Sequence, residues 1–178
     1  MALVLFDIDG TLLRKQGIHH RQALIEAAQR TFGVPVSMEG VPVAGMLDHT
    51  ILTEMLRRAG IPGSKIRAAM PAMQAGAERW YLRNAPPSLR SRVCPGVRML
   101  LYRLHRRGIA TGLVTGNFSR IGWRKMDVAG LRPYLRFGAF AEMARDRAGL
   151  VGIAVKEARR QGWIDRSSRV ALIGDHVN

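Results

Sequence analysis

Two rhythms of apolar and polar positions run along the chain of 178 residues. The first is short. Leu3, Val4, Leu5 and Phe6 form an apolar run that ends abruptly at Asp7, too short for a helix, and it predicts a buried strand. From Ile18 the period lengthens. Ile18, Leu24, Ile25, Ala28 and Phe32 share one face at helical spacing, and Gly33 with Pro35 closes that helix. A second stripe, Ile51, Leu52, Met55, Leu56 and Ala59, starts behind Asp48 and stops at Gly60 and Pro62. A third begins near Ser64 and carries Ile66, Met70, Met73, Ala77 and Trp80. Pro71 lies inside it and predicts a kink or two shorter helices. Methionines at this spacing read as core filler. Pro86, Pro87 and then Pro95-Gly96 mark a linker.

Beyond the linker, helix and strand alternate. Val97, Leu100, Leu101 and Leu104 define a helix ended by Gly108, and residues 109–114 form a strand that leads into Thr115, Gly116 and Asn117. The next helix carries Ile121, Met126 and Ala129 and stops near Gly130. Residues 137–140 read as a short strand, 150–158 as a helix, and 170–173 as a last strand that ends in Gly174 and Asp175. Strands separated by helices imply an α/β fold with a parallel sheet and right-handed crossovers. The core is expected over residues 1–14 plus 92–178, with residues 15–91 as an all-helical insert.

In such a sheet, ligands bind beyond the carboxyl ends of the strands. The rule gathers Asp7, Asp9, Thr115 and Asp175 at one end of the molecule. A period of two lets Asp7 and Asp9 face one way and Ile8 the other, while Gly10 lets the backbone turn sharply. Two carboxylates so close ask for a divalent cation between them. Taken alone, Thr115 to Asn117 reads as an ordinary strand-to-helix cap and Gly174-Asp175 as a weak signal.

Composition adds one unusual number. Lys and Arg total 28 against 13 Asp and Glu, a formal charge of +15, and the only lysines are Lys15, Lys65, Lys125 and Lys156. The arginines occur singly or in pairs with no aromatic residues interleaved to stack bases. They therefore read as solvated helix faces rather than a nucleic-acid surface, though they help draw in an anionic substrate. A chain of this length makes one or two small domains. The single cysteine, Cys94, excludes an internal disulfide and agrees with a reducing cytoplasm. No basic segment precedes the first apolar run, so no signal peptide is expected, and no run approaches membrane-spanning length. His19 and His20 point about 100° apart on a helix, make a poor metal pair and read as surface residues.

The string LVLFDIDGTL, with Asp7, Asp9, Gly10 and Thr11 directly after an apolar strand, resembles the first motif of the haloacid dehalogenase superfamily. That resemblance implies a Rossmann-like parallel core with a helical cap over residues 15–91 that closes over the site and selects the substrate. It also implies a second motif at Thr115, whose hydroxyl holds a phosphoryl oxygen beside the N–H groups of Gly116 and Asn117, with Gly10 and Thr11 nearby. The fourth motif matches Gly174-Asp175. The third is a basic residue after the third strand, for which Arg147 is chosen. Lys125, one helix earlier, remains an alternative, and a solvent-exposed role is open for each. Gly45 to Asp48 matches a cap segment that faces the site, so Asp48 either caps its helix or contacts substrate.

The implied chemistry is specific. Asp7 attacks phosphorus and forms an aspartyl-phosphate, Asp9 serves as general acid and then base, and Mg2+ is held by Asp7, the backbone carbonyl of Asp9 and Asp175. The resemblance points to the phosphoglycolate-phosphatase-like branch, acting on small phosphorylated metabolites. A sugar-phosphate mutase uses nearly the same parts. One departure stands out: related chains continue as G-D-x-x-x-D, whereas Gly174 to Asn178 stops one residue short of the second acid. This predicts a missing fifth strand and an apolar edge at residues 170–173. The second reading is a truncated, catalytically weak or inactive relative that binds phosphorylated ligands.

Overall fold

The computed structural model describes residues 1–14 and 17–175. The expectations that fall on Lys15 and on residues 176–178 lie outside the described residues. In chain order the elements are β1 (Ala2–Phe6), α1 (Ile18–Phe32), α2 (Asp48–Arg58), α3 (Gly63–Asn84), α4 (Val97–Arg106), β2 (Ala110–Val114), α5 (Ser119–Ala129), β3 (Phe137–Ala139), α6 (Arg147–Arg160) and β4 (Arg169–Ile173). The four strands form one sheet in the order β3-β2-β1-β4, and every neighbouring pair is parallel. The fold is the α/β parallel core with an inserted helical cap that the alternation and the resemblance implied.

β1 is hydrogen-bonded on both edges, with Leu5 opposite Gly112 on one side and Leu172 on the other. That position explains its unbroken apolar run, since both of its faces are covered. Leu3 and Leu5 join a cluster that includes Leu150, Ala154 and Ala158 of α6. Phe6 packs into a second cluster with Leu113, with Val97 and Leu101 of α4, and with Met126 and Ala129 of α5. Helices therefore lie on both faces of the sheet, and only the strand ends are left to build a site.

α1, α2 and α3 are inserted between β1 and α4 and share the first cluster through Leu24, Ile51, Met55, Met73 and Tyr81. The chain enters and leaves this insert side by side. Arg14 N–H donates to the Arg92 carbonyl at 2.8 Å, and Cys94 N–H donates to the Leu12 carbonyl at 3.0 Å. The stripe around Pro71 forms one helix rather than two, because Pro71 sits on an exposed side of α3 while the buried face through Ile66, Met73 and Ala77 carries the packing. β4 pairs with β1 and its five residues are exposed, with Val170 at 41% and Leu172 at 55% exposure. The expected apolar edge is present.

Candidate active site

The end of β1 delivers Asp7 into the interior, where it is 4% exposed. Its N–H donates to the Ile173 carbonyl at 2.9 Å, which ties the ends of β1 and β4 together. Its carboxylate accepts from Ile8 N–H at 2.7 Å and from Arg147 Nη1 at 2.9 Å. Burial pushes the Asp7 carboxyl above its ordinary 3.8 in spite of Arg147, the Ile8 N–H and a hydrogen bond with the Thr115 side chain, and the Asp9 charge adds to the rise. Gly10 then turns the chain at φ +89°. A Cβ there would come within 2.0 Å of Asp175 Oδ2, so only glycine allows the carboxylate of Asp175 to lie against this turn.

Asp9 faces a different set of partners. Its Oδ2 accepts from Lys125 Nζ at 2.6 Å and from Asn117 Nδ2 at 2.9 Å. Burial acts to raise the Asp9 carboxyl, but Lys125 leads a group of partners, with His20 and Asn117, that brings it below its ordinary range. Lys125 Nζ also donates to Asn117 Oδ1 at 2.6 Å and to His20 Nδ1 at 3.1 Å. Since an ammonium group cannot accept, Nδ1 of His20 is the acceptor, and Nε2 donates to Asp48 Oδ2 at 2.9 Å. His20 is 1% exposed, so the expectation of a surface residue is corrected. It lies four residues before Leu24, on the buried face of α1. The solvent-exposed reading of Lys125 fails for the same reason, because it shares the buried face of α5 with Ile121 and Ala129.

Asp48 does not cap its own helix. The residue preceding α2 is Leu47, and Asp48 turns its Oδ2 to His20 and to Phe118 N–H at 2.8 Å. It shares the start of α5 with two other carboxylates. Ser119 N–H donates to Glu142 Oε1 at 3.2 Å, and Arg120 N–H donates to Glu78 Oε1 at 3.2 Å. Three consecutive N–H groups at the positive end of α5 are thus each met by an acid from elsewhere in the chain, two of them from the helical insert.

One cavity of about 350 Å³ joins these parts. It is lined by Asp7, Asp9, Asp48, Asp175, Arg21 and Arg147, by the 43–46 segment, and by Gly116 and Asn117. The haloacid dehalogenase-like hydrolase family profile, a family of hydrolases, matches residues 1–178. The chain belongs to that family.

Solved structures share the fold. CbbY from Rhodobacter sphaeroides in complex with phosphate matches at a TM-score of 0.66 and 19% identity, covering 96% of this chain and 76% of that one. A CbbY mutant from the same organism, in complex with xylulose-(1,5)bisphosphate, gives 0.63 and 19% over 89% and 73%. A predicted phosphoglycolate phosphatase from Haemophilus somnus gives 0.59 and 14% over 97% and 76%. No curated protein sequence matches the chain.

Of the positions that the family motifs single out, Asp7, Asp9, Gly116, Asn117, Arg147 and Asp175 line the cavity. Thr115 does not. It is fully buried behind Asn117, whose Nδ2 donates to Thr115 Oγ1 at 2.8 Å. Gly10 and Thr11 are also off the cavity wall, because the turn at Gly10 carries the chain away. Thr11 Oγ1 is buried with no hydrogen-bond partner among the described residues. The solvent-exposed reading of Arg147 gives way to an ion pair with Asp7, and its Nε donates to the Gly45 carbonyl at 2.9 Å. Arg21, Val43 and Ala44 also line the cavity and carried no signal in the sequence. Among the described residues no helix is long and apolar enough to cross a membrane.

Proposed function

We propose that this hydrolase is a Mg2+-dependent phosphatase of small phosphomonoesters that works through an aspartyl-phosphate on Asp7. The observation that carries the reading is the meeting of Asp7, Asp175, Arg147 and the Gly116-Asn117 segment in one cavity at the carboxyl ends of the strands. The similar structures add that CbbY has been found with phosphate and with a sugar bisphosphate. We assign the core to residues 1–14 plus 92–178 and the cap to residues 15–91.

The donor set suits magnesium. Among the described residues no three His, Cys, Asp or Glu side chains form a ready-made metal cluster, and the Asp9 carboxylate is turned to Lys125. Magnesium does not need one. It is commonly held by one or two carboxylates, with waters and substrate phosphate oxygens completing the shell. Asp7 and Asp175 supply the carboxylates and the Asp9 backbone a carbonyl. Four acids line the cavity against two guanidinium groups, so a phosphate ester needs added positive charge to enter. When bound, the ion supplies that charge and polarises the phosphoryl oxygens.

The chain's own groups divide the remaining work. A carboxylate oxygen of Asp7 attacks phosphorus, the ester P–O bond breaks, and the departing alkoxide takes a proton from Asp9. Asp9 then takes a proton from water, which attacks phosphorus and releases Asp7 and inorganic phosphate. The N–H groups of Gly116 and Asn117 orient the phosphoryl oxygens, Thr115 steadies Asp7 and Asn117 from behind, and Arg147 aligns the nucleophile.

One observation favours a second reading, a binder of phosphorylated ligands without turnover: Asp9 is held in its charged form by Lys125 and Asn117, so it must leave Lys125 before it can donate a proton. A single assay separates the two. Mg2+-dependent release from p-nitrophenyl phosphate, reduced about a thousandfold or more by Asp7→Asn, supports the phosphatase. Phosphate binding without release supports the binder.

A further inference from the structure

A second cavity, of about 330 Å³, lies on the insert between α1 and α3 and shares no lining residue with the first. Small residues set its floor. Ala27 of α1 and Ala72 and Gly76 of α3 line it, and a Cβ on Gly76 would touch the Ala27 Cβ at 3.5 Å. The two helices therefore run close together here, and the longer side chains on either side stand as walls.

Charge divides those walls. Glu26 is the one acid lining the groove among the described residues, and it is occupied: Oε2 accepts from Arg30 Nε at 3.2 Å and Oε1 from Gln22 Nε2 at 3.4 Å. The pair with Arg30 leaves no net charge from α1. Arg79 and Arg83 of α3 lie four residues apart, hence on one helix face, and among the described residues neither has a hydrogen-bond or ion-pair partner. Like charges at this spacing repel, so the two guanidinium groups gain by sharing an anion. The cavity at the strand ends is the reverse, with four acids against two guanidinium groups. Trp80, half-buried and four residues after Gly76, adds an aromatic surface to the groove. Asn84 Nδ2 donates to the Trp80 carbonyl at 2.8 Å, which fixes that amide and leaves its Oδ1 to accept.

We propose that this groove binds a nucleoside monophosphate, with the phosphate held by Arg79 and Arg83 and the base laid on Trp80. A phosphate dianion matches two unpaired guanidinium groups in charge and takes forked hydrogen bonds from both. A flat base suits an indole, and an amino group on the base gives Asn84 Oδ1 its donor. The volume lies near the lower end for small-molecule sites, which suits one nucleotide and not a chain of them. This goes beyond the phosphatase reading and does not depend on it.

The test is calorimetry and tryptophan fluorescence on the full chain with adenosine 5′-monophosphate in EDTA. Without a divalent cation the acid-lined cavity at the strand ends disfavours a phosphate, so binding there and turnover are both suppressed. Saturable one-to-one binding with quenching is expected. Adenosine and ribose 5-phosphate, which each lack one half of the ligand, are expected to bind about tenfold more weakly or worse. Arg79→Gln combined with Arg83→Gln is expected to weaken binding about tenfold to a hundredfold. Arg106→Gln combined with Arg107→Gln removes the same charge from the exposed end of α4 and is expected to leave binding nearly unchanged. All four arginines are exposed, so these variants keep the fold. Trp80→Phe is expected to abolish the quenching and retain the phosphate contact. No saturable binding, equal weakening by the α4 pair, ribose 5-phosphate binding as tightly as the nucleotide, or quenching that survives Trp80→Phe overturns the proposal.

Discussion

Lys125 Nζ lies 2.6 Å from Asp9 Oδ2, a contact between α5 of the core and the loop that follows β1, and Lys125 is 3% exposed. A buried ion pair is costly to break from one side, because the remaining charge stays in place without compensation. Lys125→Met is therefore expected to destabilise the protein by about 3–5 kcal/mol, read as a lower urea midpoint at neutral pH.

His20 and Asp48 lie on different helices of the insert and meet in the same network, with His20 passing the contact on to Lys125. Residues that share partners do not add. His20→Ala and Asp48→Ala are expected to cost less together than the sum of their separate effects, with a coupling of about 1 kcal/mol or more in a double-mutant cycle by urea unfolding. Simple addition would mean that the contact carries no energy of its own.

Asp7 is expected to trade stability for reactivity. Burial holds its folded-state carboxyl above 3.8, so ionising it in the native protein costs free energy. The sign follows from linkage: the penalty is absent below about 3.8, grows as pH rises through the folded value, and is constant above it. Relative to Asp7→Asn, the metal-free wild type should lose stability over that interval, as shown by denaturant midpoints from pH 3 to 7. Asp9 runs the other way. Its contribution is present above about 3.8 and fades as pH falls through its lowered folded value. Magnesium should relieve the cost at Asp7, raising the melting temperature of the wild type and leaving that of Asp7→Asn nearly unmoved.

Gly116 brings the core and the insert into close contact. A Cβ at this position would sit 2.4 Å from the Met46 carbonyl oxygen, and the Gly116 carbonyl itself accepts from Asp48 N–H at 2.8 Å. Gly116→Ala is expected to force the 43–48 segment outward and to cost about 1–3 kcal/mol. Faster amide exchange at Asp48, measured by mass spectrometry, checks it.

The sequence showed the site where chemistry and chain order coincide. Asp7 and Asp9 lie two residues apart after an apolar run, so strand periodicity was enough to read them together, and the alternation of helix and strand brought Thr115 and Asp175 to the same end, although Thr115 is buried behind the cavity wall and Gly116 and Asn117 line it in its place. His20, Lys125 and Asp48 could not be grouped in that way, because their association depends on how the insert is docked. A partial signal was present. His20 sits on the same face as Leu24, and Lys125 on the same face as Ile121 and Ala129, so each was a polar residue in an apolar stripe that needed a partner. Thr11 differs: it follows Asp7 and Asp9 in the same motif, yet the turn at Gly10 carries it off the cavity.

The acids that meet the start of α5 set a condition on modular exchange. A graft that replaced the helices between residues 15 and 91 with those of another hydrolase would remove Asp48 and Glu78 together, leaving Phe118 and Arg120 with bare amides beside the loop that carries Gly116 and Asn117. Exchanging the insert on this scaffold therefore requires the donor helices to bring acids to the same two points, or the chimera will loosen at the very helix that carries Lys125.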